Sequence, residues 1–194
     1  MEVPKMAGER KLEILQFAIE IIADEGYSSL SMRSLARASG MKLGALQYHF
    51  RTWEDLLRSL VGVIESEIKA EWRSQGLDED ATVYDIAAFM LDGTSLPGEI
   101  SLGDKLWPQL WAMEEVEPLV ADLLEEIYAE YLQYLVVAMK KAGIESPQGE
   151  ALCLMSLLEG ESLFTGEGRR WEKDRALVRG TILEFVENRY GATA

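Results

Sequence analysis

Apolar residues along this 194-residue chain recur at spacings of three and four, the period of an amphipathic helix, with no sustained strict alternation. Ile14, Leu15, Ala18, Ile21 and Ile22 mark a first helix from Gly8 or Glu9 to Glu25, stopped by Gly26. Ser31 caps a short second helix with Leu35 and Ala36 inward, and Gly40 stops it. Leu43, Leu46 and Phe50 form the apolar stripe of a third helix, leaving Lys42, Ala45, Gln47, Tyr48 and His49 on its other faces. Thr52 caps a fourth, with Glu54 and Asp55 in its first turn, where the helix dipole favours acids. Its stripe, Leu56, Leu57, Leu60, Val61, Ile64 and Ile68, continues to about Arg73. After a loop at 75–80, the pattern predicts helices over 82–96, closed by Pro97-Gly98, and over 101–115, broken near Leu106 by Pro108. Pro118 opens the next, which ends at Lys140-Lys141 before Gly143. Ser146-Pro147 starts the eighth, and the ninth covers about 174–190. The expected fold is therefore all-α with about nine helices, and its ends, 1–7 and 191–194, are expected to be loose.

Helix, glycine turn and second helix with a light, polar outer face over 31–50 is the geometry of a helix-turn-helix, whose second helix enters the DNA major groove. The residues carry this further. Gly26-Tyr27, then Ser31-Met-Arg-Ser-Leu-Ala36, Ala38-Ser-Gly-Met41, Gly44-Ala-Leu46, His49-Phe50 and Thr52-Trp-Glu-Asp-Leu56 closely resemble the DNA-binding domain of the tetracycline-repressor (TetR) family. The resemblance runs without gaps over about residues 10–60. Lys42 stands where a small hydroxyl residue is usual in the family, Gln47 where tyrosine is usual, and Trp53 where lysine is usual. It implies a DNA-binding domain at 1–51 and a ligand-binding and dimerisation domain at 52–194.

Charge changes the picture only once its distribution is considered. The chain carries −15 overall, a poor prospect for a nucleic-acid partner. Residues 1–56, however, hold seven basic residues and eight acids, a balance of −1 that leaves −14 for the remainder. Between Tyr27 and Arg51 there is no acid, while Arg33, Arg37, Lys42 and Arg51 give +4. An acidic body with a basic tip turns the tip toward phosphates. From the resemblance and this charge, the expected DNA-binding residues are Ser31, Arg33, Lys42, Leu43, Gly44, Ala45, Gln47, Tyr48, His49 and Arg51. Lys42 and Gln47 are placed to read base edges, and Arg33, His49, Arg51 and the helix start at Ser31 to hold phosphates. Tyr27 is expected to pack.

Enzymatic chemistry finds no support. One histidine and one cysteine cannot build a His/Cys metal cluster, and no nucleophile elbow, phosphate loop or dinucleotide fingerprint occurs, so no cofactor is expected. Cys153, in an apolar run, reads as a buried structural thiol. No apolar run reaches the ~18 residues of a membrane span, and a cytoplasmic protein without membrane contact is expected.

The resemblance implies a homodimeric, ligand-responsive regulator, a repressor released from a palindromic operator by a small molecule. The alternative is an acidic helical ligand-binding or interaction protein with weakened DNA affinity. The eighth and ninth helices are apolar around more of their circumference than one core needs, which, with the resemblance, assigns Leu154, Leu158, Ile182, Phe185 and Val186 to a dimer interface. The break at Pro108 is expected to open a mainly apolar pocket walled by Met90, Trp107, Trp111, Met113, Tyr128, Tyr131 and Phe164. An organic cation held by cation-π contact, or a neutral apolar molecule, fits such walls.

Overall fold

The computed structural model describes residues 3–77, 80–92, 95–96 and 100–191. Nine α-helices lie among them: α1 Val3–Glu25, α2 Met32–Ala38, α3 Leu43–His49, α4 Trp53–Ser74, α5 Val83–Asp92, α6 Trp107–Glu114, α7 Pro118–Lys141, α8 Pro147–Thr165 and α9 Arg175–Tyr190. Among the described residues no helix is long and apolar enough to cross a membrane.

The capping chemistry read from the sequence sets the helix ends. Thr52 and Asp55 cap α4 reciprocally: the Asp55 N–H donates to the threonine hydroxyl at 3.0 Å, and the Thr52 N–H donates to the Asp55 carboxylate at 3.1 Å. Thr82 and Asp85 do the same for α5. Pro108 lies in the first turn of α6, directly after a π-helical turn, Leu102–Leu106, so the proline that was expected to break this helix sits where its missing donor costs least.

Two elements differ from the periodicity reading. α1 begins at Val3 rather than at Gly8, because Pro4 is harmless in a first turn and Gly8 alone does not stop a helix. The helix expected over 82–96 ends at Asp92, where Gly93, Thr94 and Ser95 are weak helix formers. Residues Ser95–Leu96 instead pair antiparallel with Ile100–Ser101, as β1 and β2. The Pro97-Gly98 stop lies outside the described residues, as do the last three residues of the chain.

The chain divides into two compact units, Met1–Glu67 with Ser95–Leu124, and Ile68–Thr94 with Glu125–Ala194. Residues 1–51 lie wholly in the first unit, together with α6. There α1 packs on α2 and on the π turn, α2 on α3, and α6 on the short turn Tyr27–Ser29. The buried set is apolar apart from Ser39, and includes Ile14, Leu15, Ala18, Ile19 and Ile22 from α1, Leu35, Leu46 and Phe50 from the helix-turn-helix, then Leu56, Leu57, Leu60 and Ile64 from α4. Leu106, Leu110, Met113 and Val120 are also buried in this unit.

In the second unit α5 packs on α8 and α9, and α8 on α9. Trp72 stacks on Tyr134 at 4.4 Å between centroids and on Tyr131 at 5.7 Å, and meets Phe89 edge-on at 5.0 Å. One carboxylate is buried here. Glu161 accepts from Arg175 Nε at 3.1 Å, from Arg179 Nη2 at 3.3 Å and from the Thr165 hydroxyl, so the charge removed from water is compensated by two guanidinium groups. At the far end of the same helix pair, Arg189 and the Tyr190 hydroxyl both donate to Glu150, holding its carboxyl below the usual carboxylate range.

Candidate nucleic-acid interface

α3 has seven residues, too few to persist alone, and it is held by what it buries. Leu46 and the following Phe50 are fully buried. Everything else on the helix is open. Lys42, Leu43, Gly44, Ala45, Gln47 and Tyr48 are exposed, Tyr48 at 84%, and His49 is half-buried with its ring edge-on to Tyr48 at 5.7 Å. Leu43 therefore lies on the outer edge of the helix and not in the apolar stripe that its spacing predicted. At the first position of so short a helix, the turn from Gly40 carries its side chain past the core.

The turn into α3 is set by backbone chemistry. Gly40 has φ +66°, a conformation side chains resist. Its N–H reaches the Arg37 carbonyl at 3.2 Å and the Met41 N–H reaches the Ala36 carbonyl at 2.8 Å, the paired bonds of a Schellman end. At the other end of α2, Ser31 and Ser34 form a capping box. Arg10 on α1 closes the assembly by donating from Nη2 to the Ser39 carbonyl at 3.0 Å.

Arg33, Arg37 and Arg51 are exposed, as is Lys42. Among the described residues none of the four has a carboxylate within ion-pair distance. Four uncompensated cations thus border an acid-free helix face on a chain of charge −15. Ser31 is exposed beside them, with its hydroxyl already engaged in the cap of α2.

The matches to known proteins fall on this segment. The family described as bacterial regulatory proteins, tetR family, matches residues 14–60. Residues 14–60 are thus similar to this family. Among curated relatives, the HTH-type transcriptional regulator AcrR of Shigella flexneri is 34% identical over 62 residues, 32% of this chain and 29% of that one. The HTH-type transcriptional repressor KstR2 of Mycolicibacterium smegmatis is 28% identical over 60 residues, again 29% of its length. The chain thus matches under a third of each of these relatives. A transcriptional regulator from Saccharomonospora viridis, solved in complex with choline, has TM-score 0.75 at 21% identity, over 94% of this chain and 97% of that one. The likeness in fold accordingly extends well beyond residues 14–60.

Trp53 and Tyr27 occupy places that sequence reading did not foresee. The Trp53 indole N–H donates to Glu117 at 3.2 Å, and the Tyr27 hydroxyl donates to the same carboxylate oxygen. Burial first, and this carboxylate second, push the Tyr27 hydroxyl well above its ordinary pKa. The Tyr27 backbone N–H donates to Gln109 Oε1 at 3.2 Å. Nothing in the periodicity marked Glu117 or Gln109; the only signal was that Trp53 departs from the family's usual lysine.

The residues expected to wall a pocket are split between the two compact units. Trp107, Trp111 and Met113 belong to the first, where Trp107 and Met113 are buried. Met90, Tyr128, Tyr131 and Phe164 belong to the second. Tyr131 is buried in the aromatic cluster, and Phe164 is 60% exposed. Tyr128 lines a cavity of about 260 Å³ with Leu152, Met155, Ser156 and Glu159. A larger cavity of about 410 Å³ is bordered by Glu71, Asp85 and Asp92 around Phe89 and Ala88.

Of the residues expected at a dimer interface, Leu154, Leu158, Ile182 and Val186 are buried within the chain's own second unit, and Phe185 is exposed. Both helices carry apolar residues on two adjacent stripes, and spacing alone does not say which stripe turns inward. The outward ones are Leu152, Leu157, Leu163 and Phe164 on α8 and Leu177 and Phe185 on α9. Cys153 also faces outward, so the buried thiol expected from its apolar neighbours is corrected: it shares the outer stripe with Leu157 and Phe164.

The division of α3 into an outer face and a buried anchor gives a stability test. Alanine at Lys42, Gln47 or Tyr48 should leave unfolding within about 0.5 kcal/mol of wild type, whereas Leu46→Ala should cost about 2–5 kcal/mol, both read by chemical denaturation.

Proposed function

We propose that this protein is a homodimeric, cytoplasmic, ligand-responsive transcriptional repressor that reads a palindromic operator with α3. The observation carrying this reading is the acid-free outer face of α3 with Arg33, Arg37, Lys42 and Arg51 unpaired around it, on a chain otherwise strongly acidic. Lys42 and Gln47 read base edges; Arg33, His49 and Arg51 hold phosphates, and Ser31, Leu43, Gly44, Ala45 and Tyr48 complete the contact surface. Selection of genomic fragments with the purified protein tests it. A palindromic sequence should be enriched and its binding should weaken with salt. Lys42→Ala or Gln47→Ala should then cost about 1–3 kcal/mol on that sequence and relax preference at one base pair. No enrichment of any sequence would leave the alternative, an acidic helical ligand-binding protein.

Dimerisation is assigned to the outward stripes of α8 and α9. Leu152, Leu157, Leu163, Phe164, Leu177 and Phe185 are large apolar side chains left exposed on these two helices, a pattern that marks an interaction surface. A two-fold axis there sets each stripe against its copy, while Leu154, Leu158, Ile182 and Val186 support it from beneath. Leu157→Asp combined with Phe185→Asp should give folded monomers in sedimentation. A wild-type chain that is itself monomeric at micromolar concentration would contradict the assignment.

The effector is taken to be a small organic cation. Glu71, Asp85 and Asp92 surround Phe89 in the larger cavity, and the similarly folded S. viridis regulator holds choline. A neutral apolar molecule suits the smaller cavity at Tyr128. To act, the effector must bind the DNA-incompetent arrangement more tightly than the competent one. Choline and larger quaternary ammonium compounds should release operator from wild type and fail to do so from Asp92→Asn. Equal release from both proteins, or release by neutral compounds alone, would move the site away from these acids.

A further inference from the structure

The helix-turn-helix is gripped at both of its ends by one carboxylate from a distant part of the first unit. Tyr27 stands just after the end of α1 and Trp53 opens α4, and every residue of α2 and α3 lies between them. Both side chains donate to Oε1 of Glu117, which precedes Pro118 at the start of α7. We propose that Glu117 is a positioning residue that fixes the stance of the DNA-reading head against the corner between α6 and α7. The proposal rests on the DNA-binding reading given above.

Three features separate this contact from ordinary packing. The core of the helix-turn-helix, built on Leu35, Leu46 and Phe50, is closed by α1, and Glu117 adds no apolar surface to it. The two donors are themselves in ring contact, 6.4 Å between centroids, so they meet the carboxylate side by side. Around them the Tyr27 N–H is taken by Gln109 of α6, and Lys105, just before α6, lies 3.6 Å from Asp24 at the end of α1, so this part of the unit meets the head at further points. Both rings are half-buried, which shields the charge-assisted bonds from competing water.

A clamp of this kind changes how a dimer meets DNA more than how one head does. Two heads held in one stance match one half-site spacing, whereas loosened heads must be ordered at the moment of binding. The second half-site is then engaged at a lower effective concentration. In the family's usual arrangement the position of Trp53 carries a lysine; here its side chain is given to Glu117 instead.

The test compares two duplexes, the selected palindrome and a version with one half-site scrambled, using the full-length chain. Glu117→Ala should bind the single half-site within about twofold of wild type and the palindrome at least about tenfold more weakly, since only the second engagement depends on stance. Tyr27→Phe with Trp53→Phe keeps an aromatic ring at each position, removes both side-chain donors and should reproduce the split; adding Glu117→Ala to that pair should cause no further loss. Equal losses on both duplexes would mean damage to the head itself and would overturn the proposal, as would no loss on either. Should Glu117→Ala not fold, the phenylalanine pair carries the same comparison. If wild type binds no DNA, the regulator reading fails by itself, and amide hydrogen exchange decides the clamp: faster exchange at Leu30 and Leu56 in the variants supports it, and unchanged exchange refutes it.

Discussion

A seven-residue helix cannot hold its shape in water, and α3 exists because Leu46 and Phe50 are sealed beneath it. That constraint orders much else. With the anchors placed one turn apart on a single side, Lys42, Gly44, Ala45, Gln47 and Tyr48 have no interior to enter and are presented outward. α1 packs on α2, and its Arg10 also holds the end of α2. The Schellman turn at Gly40 then fixes the angle between α2 and α3. Electrostatics completes the arrangement, because the segment so displayed is the part of an acidic chain from which acids are missing.

The second unit handles its polar groups differently. Its buried carboxylate, Glu161, is matched by two arginines, and Phe89, Tyr131 and Tyr134 gather around Trp72. Breaking the Glu161 cluster by removing one partner would leave an uncompensated charge, so these positions should tolerate change poorly. The acids that could meet a cation lie instead at the rim of the cavity beside Phe89.

Helical class, helix number and the helix-turn-helix were legible because each depends on local rules: a period of 3.6, a cap, a glycine with positive φ. The face that each helix turns inward was legible where one stripe is apolar, as in α1, α4 and the pair Leu46 and Phe50. It was not legible where two stripes are. On α8 the residues Leu154 and Leu158 go inward while Leu152, Leu157 and Cys153 go outward, and residue type does not distinguish them. Leu43 failed for a related reason, since a helix of two turns has too few positions for spacing to separate edge from core. The Glu117 contacts were invisible because they join residues 64 and 90 positions apart. Only the unusual tryptophan at 53 hinted that something other than phosphate awaited it.

On the proposed function, α3 and its bordering cations meet a polyanion. It is tested most directly by the salt dependence of binding to selected DNA, for wild type and for Arg33→Ala with Arg51→Ala. Log affinity should fall linearly with log salt, and the double variant should have a slope shallower by about two. A wild-type slope near zero, or one unchanged by the loss of both arginines, would contradict it.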